Sequence, residues 1–196
     1  MQIMNELILI FLSSVLVNNF VLARFLGICP FLGVSKSREQ ALGMSCAMIL
    51  VTVSASGITY CIYHNLLVPL HLEFLQIIAF ILVIAGFVQL VEIVMIKSFP
   101  HLYRALGIYL PLITTNCVIM AVVLLQVVEK YSLLKSLVFS AGAGAGFALA
   151  LILMAGIRER LEFSDIPESL KGASITLITA GLLSLAFMGF SGLVKM

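Results

Sequence analysis

Apolar stretches long enough to cross a bilayer follow one another, with short interruptions, from about residue 5 to residue 194. A membrane-spanning helix needs about 20 mostly apolar residues to cross a hydrocarbon core about 30 Å thick. Runs of that kind lie at roughly 5–28, 41–63, 71–96, 105–128, 133–157 and 172–194. The connections leave no room for a soluble domain, so residues 1–196 read as a single transmembrane domain. Composition agrees, because 62% of the residues are hydrophobic and only 10% are charged. A mean hydropathy of +1.21 is more than a soluble core could bury. The first run has no Lys or Arg before Arg24, is too long for a signal-peptide core and lacks a convincing cleavage site. It reads as a retained span. The expected fold is an all-α integral membrane protein with six transmembrane helices.

The charges gather between the runs. Connections after the first, third and fifth runs hold Lys36, Arg38, Lys97, Arg104, Arg158, Arg160 and Lys171, against Lys130, Lys135 and Lys195 on the other side. This bias puts the odd connections in the cytoplasm and both termini outside. The net charge of +2 comes with no basic tract of the kind that binds nucleic acid. Six spans divide into three and three, and a repeat with an odd number of spans is inverted relative to its copy. Spans two and five begin 92 residues apart, and Cys29 and Cys117 lie 88 apart. Two inverted repeats are expected, about 1–100 and 101–196, with little sequence identity between them.

Two places break the apolar pattern and the helix together. Cys29 is flanked by Gly27, Pro30 and Gly33, and follows Asn18, Asn19 and Arg24. Proline disfavours helix in the residue before it, which predicts that the helix ends near Cys29. A straight helix from residue 5 would carry Cys29 about 36 Å along, beyond the core, so the first span is expected to be tilted, displaced or broken unless Cys29 lies near the cytoplasmic face. Asn18, Asn19 and Arg24 are costly against lipid and are expected to face protein or a cavity. The second place is Pro111 with Thr114-Thr115-Asn116-Cys117, about 18 Å into the fourth span.

Each cysteine has a plain reading as a small hydrophobe beside polar residues that bond neighbouring helices. The alternative is a metal. Two thiolates are too few for zinc or an iron–sulfur centre, which take four, but two equivalent pairs would suffice. Soft thiolates select zinc, Cu(I) or iron–sulfur, and of these an iron–sulfur centre could carry an electron through the bilayer. Cys46 and Cys61 have no polar pattern of their own and read as packing residues. Gly142 and Gly146 form a GxxxG suited to close helix approach. Glu92, with Gln89, reads as snorkelling toward Lys97, with an ion path as the alternative. His64, His71 and His101 read as solvated loop residues. The stretch from Arg158-Glu159-Arg160 to Lys171 reads as a docking surface for a soluble partner.

The string Leu16-Val17-Asn18-Asn19-Phe20-Val21-Leu22 through Phe25-Leu26-Gly27-Ile28-Cys29-Pro30-Phe31-Leu32-Gly33 resembles the membrane proteins of Rnf electron-transport complexes, those of the Rnf A type in particular. So do Leu106-Gly107-Ile108, Leu110-Pro111-Leu112-Ile113-Thr114-Thr115-Asn116-Cys117, Ile157-Arg158-Glu159-Arg160-Leu161 and Ile178-Thr179-Ala180-Gly181-Leu182. The homologous E-type membrane protein of the Na⁺-translocating NADH:quinone reductase is similar. The resemblance covers essentially the whole chain. It implies a multi-pass component of the bacterial cytoplasmic (inner) membrane, so that the outer side, where the charge bias puts both termini, is the periplasm. It implies an oppositely oriented homologous partner of the Rnf E type, and further iron–sulfur and flavin-bearing subunits. It implies that Cys29 and Cys117 supply half the ligands of a shared intramembrane [2Fe-2S] cluster. The complex would couple electron transfer between ferredoxin and NAD to Na⁺ or H⁺ translocation, with no complete active site in this chain alone. Two rivals remain from the residues: a small inverted-repeat secondary transporter without a redox centre, and a structural anchor.

Overall fold

The computed structural model describes residues 2–35, 37–71, 73–98, 110–165, 167 and 170–190. Every regular element among them is helical. Helix α1 (Gln2–Leu12) runs into a π-helical turn (Ser13–Val17), and after an unwound stretch the chain resumes as the short α2 (Ile28–Val34). Helix α3 (Arg38–Ile62) continues through a second π turn (Tyr63–Leu67), and α4 spans Gln76–Ser98. The second half holds α5 (Leu110–Thr114), α6 (Cys117–Val128), α7 (Leu133–Glu162) and α8 (Ala173–Met188).

Three stretches are long and apolar enough to cross a membrane: Arg38–Leu67, Gln76–Val94 and Leu133–Glu162. Three shorter apolar helices accompany them, Met4–Val17, Leu112–Val128 and Ala173–Met188. The predicted starts at 105–109 and end at 191–194 lie outside the described residues, as do Lys36, His101, Arg104, the Leu106-Gly107-Ile108 motif and Lys195.

Helices α3 and α7 form the centre. Met44, Met48, Val51 and Ala55 are buried along α3 at helical spacing, as are Phe147, Leu151 and Met154 along α7. In lipid this contact draws its stability from close packing, since tails are as apolar as the side chains. The small residues of α7 permit it. A Cβ on Gly144 would lie 3.0 Å from Ile49 Cα of α3. One on Gly142 would collide with Ser14 Oγ, and one on Gly146 would lie 3.1 Å from Val15 O. The GxxxG face therefore receives the π turn of the first span.

Among the described residues, buried side-chain polar groups other than Ser136 Oγ are bonded on their own helix or across the bundle. Ser45, Thr52 and Thr59, seven residues apart, donate to the carbonyls one turn back at 2.6–2.7 Å. Ser56 Oγ donates to Gln126 Oε1 at 2.6 Å, joining α3 to α6. The two ends of the bundle are tied separately. At one end Arg38 pairs with Glu159, and Arg158 Nη1 donates to Leu32 O (2.9 Å) and Ser35 Oγ (2.7 Å). At the other, Lys135 pairs with Glu6 at 2.9 Å. The connections after the first and fifth spans thus share one end, opposite the N-terminal region.

The helix-stop expectation at Cys29 is corrected. The first helix gives out at Val17–Asn18, and Pro30 sits in the first turn of α2. A first-turn N–H has no partner within the helix, so proline loses nothing there and favours the start of a helix as readily as an end.

Candidate functional site

The unwound stretch between Val17 and Ile28 is held by Asn19, which is fully buried. Its amide donates to Val15 O (3.1 Å) and across the bundle to Gly146 O (2.8 Å). Its Oδ1 accepts from Val21 N (3.0 Å) and Leu22 N (3.3 Å), which uses every hydrogen-bonding position of the side chain. Ser184 Oγ of α8 donates to Leu22 O at 2.6 Å. Phe20, Val21 and Leu22 are buried behind this frame. The stretch then turns outward through Phe25 (φ 55°) and Gly27 (φ 75°) into α2.

The second break is capped by Asn116, also buried. Its Oδ1 accepts from Val118 N at 2.9 Å, and its Nδ2 lies 3.4 Å from Met48 Sδ of α3. Each break is thus closed by an asparagine whose side-chain oxygen receives a backbone N–H two residues on.

The two breaks touch. A Cβ on Gly27 would lie 2.8 Å from Val118 Cγ2 and 3.2 Å from Asn116 Oδ1. Only glycine satisfies both that approach and the left-handed backbone. The contact brings together the first turns of α2 and α6. Cys29 occupies the one and Cys117 the other, and both are exposed free thiols. Beside Cys117 lies an apolar groove of about 530 Å³, walled by Ile81, Ile84, Thr114 and Met120 among others. The described residues assemble no group of three or more His, Cys, Asp or Glu able to hold a metal. A closed metal centre built on Cys29 and Cys117 would need ligands beyond the described residues of this chain.

The other singled-out residues fall elsewhere. Cys46 and Cys61 are exposed on α3 and do not pack in the interior of this chain, contrary to the sequence expectation. Arg24 is exposed too, with its guanidinium 5.6 Å from the centre of the Phe20 ring, whereas Asn19 faces protein as expected. Glu92 is half-buried on α4. His64 and His71 are exposed, and His64 stacks on Tyr60 at 4.9 Å. Sequence reasoning missed the contact of Gly27 with residues 116–118 and the reach of Asn19 to Gly146. Its only trace was a helix breaker in each half.

A sequence model described as "Rnf-Nqr subunit, membrane protein" matches residues 7–194. The chain is 57% identical to the A component of the ion-translocating oxidoreductase complex of Syntrophotalea carbinolica, covering 97% of this chain and 99% of the relative. It is 55% identical to the A component of the Na(+)-translocating ferredoxin:NAD(+) oxidoreductase complex of Acetobacterium woodii, covering 95% and 97%. It is 54% identical to the A component of the ion-translocating oxidoreductase complex of Vibrio vulnificus, covering 98% and 100%.

Proposed function

Because the chain belongs to the Rnf-Nqr family of membrane protein subunits, we propose that it is an electron-carrying subunit of an ion-translocating ferredoxin:NAD oxidoreductase complex. Its relatives are subunits of ion-translocating oxidoreductase complexes, and the Acetobacterium woodii relative belongs to a Na(+)-translocating ferredoxin:NAD(+) oxidoreductase complex. In this reading Cys29 and Cys117 hold half of a [2Fe-2S] cluster, and a homologous, oppositely inserted subunit supplies the other two thiolates.

The observation that carries the reading is the junction of the two breaks. Two exposed cysteines, remote in sequence, sit in the first turns of two helices whose starts are in contact. The positive end of a helix favours a negatively charged sulfur. A four-thiolate centre needs two ligands beyond these, which fits an outward-facing pair. Interrupted backbone is not tolerated against lipid, so the groove beside Thr114 and Cys117 calls for a covering protein surface. When bound, such a cluster supplies a one-electron carrier within the bilayer. The residues of this chain hold it in place: Asn19 and Asn116 fix the unwound segments, and Gly27 lets the two first turns meet.

The inverted repeat belongs to the same reading. Each half has an interrupted first helix followed by a 30-residue second helix, Arg38–Leu67 and Leu133–Glu162, and these two pack on each other at the centre. The basic end, with Arg38, Arg158 and Arg160, faces the cytoplasm of an inner-membrane protein, and the termini face the periplasm.

The test is iron and the electron paramagnetic resonance of the purified complex, with Cys29→Ser and Cys117→Ser set against Cys46→Ser. Loss of the [2Fe-2S] signal in the first two alone is expected. Full signal in both would remove the electron-carrier reading. An iron-free complex that still moves ions would favour the transporter.

A further inference from the structure

At the basic end, a cavity of about 400 Å³ opens between the end of α7 and the start of α8. Arg158 and Lys171 line it, together with Leu161, Glu162, Ile175 and Thr176. Arg158 is fixed there through one nitrogen by Leu32 O and Ser35 Oγ. Lys171 is exposed. Two cations against one carboxylate leave the cavity positive. From Ile175 the surface continues down α8 as Ile178, Leu182 and Leu185, spaced three, four and three residues, which places them on one helical stripe. Ile178, Leu182 and Leu185 are 48%, 61% and 66% exposed. The stripe from Ile175 to Leu185 is about 15 Å long at the helical rise, which matches the depth of one leaflet of a core about 30 Å thick.

We propose that this cavity and stripe form a binding site for one anionic phospholipid, with its phosphate between Arg158 and Lys171 and an acyl chain along Ile178, Leu182 and Leu185. A cationic pocket above an exposed apolar track has the polarity of such a lipid, and basic pockets between helices on the cytoplasmic side favour anionic head groups. Free phosphate would use the pocket but not the track. The site stands apart from the cysteines and holds whether or not they carry a cluster.

The test uses the intact complex in phosphatidylcholine nanodiscs doped with a diazirine-acyl phosphatidylglycerol or with the same acyl chain on phosphatidylcholine. Cross-linked peptides are mapped after irradiation. Labelling on residues 175–185 is expected to favour the phosphatidylglycerol probe. Lys171→Gln should lower it about fivefold, the effect of one basic residue near the surface. Glu162→Gln, which removes the opposing charge, should raise it. Lys171 and Glu162 are both exposed, so neither change disturbs the interior. Equal labelling by the two probes, or labelling indifferent to Lys171→Gln, would overturn the site. Suppression by excess inorganic phosphate would overturn the lipid assignment in favour of a free anion.

Discussion

Asn19 does the work of a whole turn of helix. Four hydrogen bonds leave its side chain, one of them across to α7, and they stand in for those the unwound stretch cannot make with itself. Asn19→Ala would leave Val21 N and Leu22 N without the oxygen they donate to, at about 1–3 kcal/mol for each buried group left without a partner. A fall in the thermal denaturation midpoint of the solubilised complex is expected, larger than for Asn18→Ala, whose side chain makes one bond, to Ser13 Oγ. Gly27 is constrained twice. Gly27→Ala would meet Val118 Cγ2 and would also cost about 1–2 kcal/mol for the left-handed backbone. In the proposed reading it should broaden or diminish the cluster signal while both cysteines remain. An unchanged spectrum would show that the contact between the breaks does not position the thiols.

Among the elements, the long ones were legible and the interrupted ones only partly so. Helices α3, α4 and α7 follow from unbroken apolar runs, and their predicted centres agree with the structure. The stops were harder. Pro30 reads as a helix end in sequence because the rule concerns the residue before proline. In the fold that proline sits in a first turn, and telling the two cases apart requires knowing where the backbone donors go. Arg24 was expected to face protein or a cavity; it lies exposed beside the Phe20 ring, in a turn outside the helix that frees it from helical facing. The Gly142/Gly146 pair was legible as a close approach, but not its partner, the π turn Ser13–Val17. Gly142→Leu would drive a side chain into Ser14 and Phe11 O and push the first span off α7. Such overpacking costs about 1–3 kcal/mol or more. Gly86→Ala and Gly181→Ala, which meet nothing within 4 Å, should be neutral or stabilising by up to about 1 kcal/mol. Denaturant titration of the three variants side by side separates packing from helix propensity.

Across the whole molecule, two ends are tied by different charges: Arg38–Glu159 with Arg158 at one, Lys135–Glu6 at the other. Pairings more than 100 residues apart leave no local trace in a sequence, so only the count of basic residues hinted at this division. If the basic end is cytoplasmic, then in a background with Cys46 and Cys61 replaced by Ser, Ser132→Cys should react with a membrane-impermeant maleimide in intact cells. Ser164→Cys should react only after permeabilisation. The reverse pattern would invert the insertion. The site itself was legible as two odd cysteines, whereas the contact between the two breaks that carry them needed the fold, because it depends on Gly27 reaching Val118 across the bundle. That contact is the basis for proposing that the chain is an electron carrier. Its most direct measurement is the iron content and [2Fe-2S] resonance of the purified complex carrying Cys29→Ser or Cys117→Ser. Both are expected to lose the intramembrane signal while Cys46→Ser keeps it, and an undiminished signal in the two would contradict the assignment.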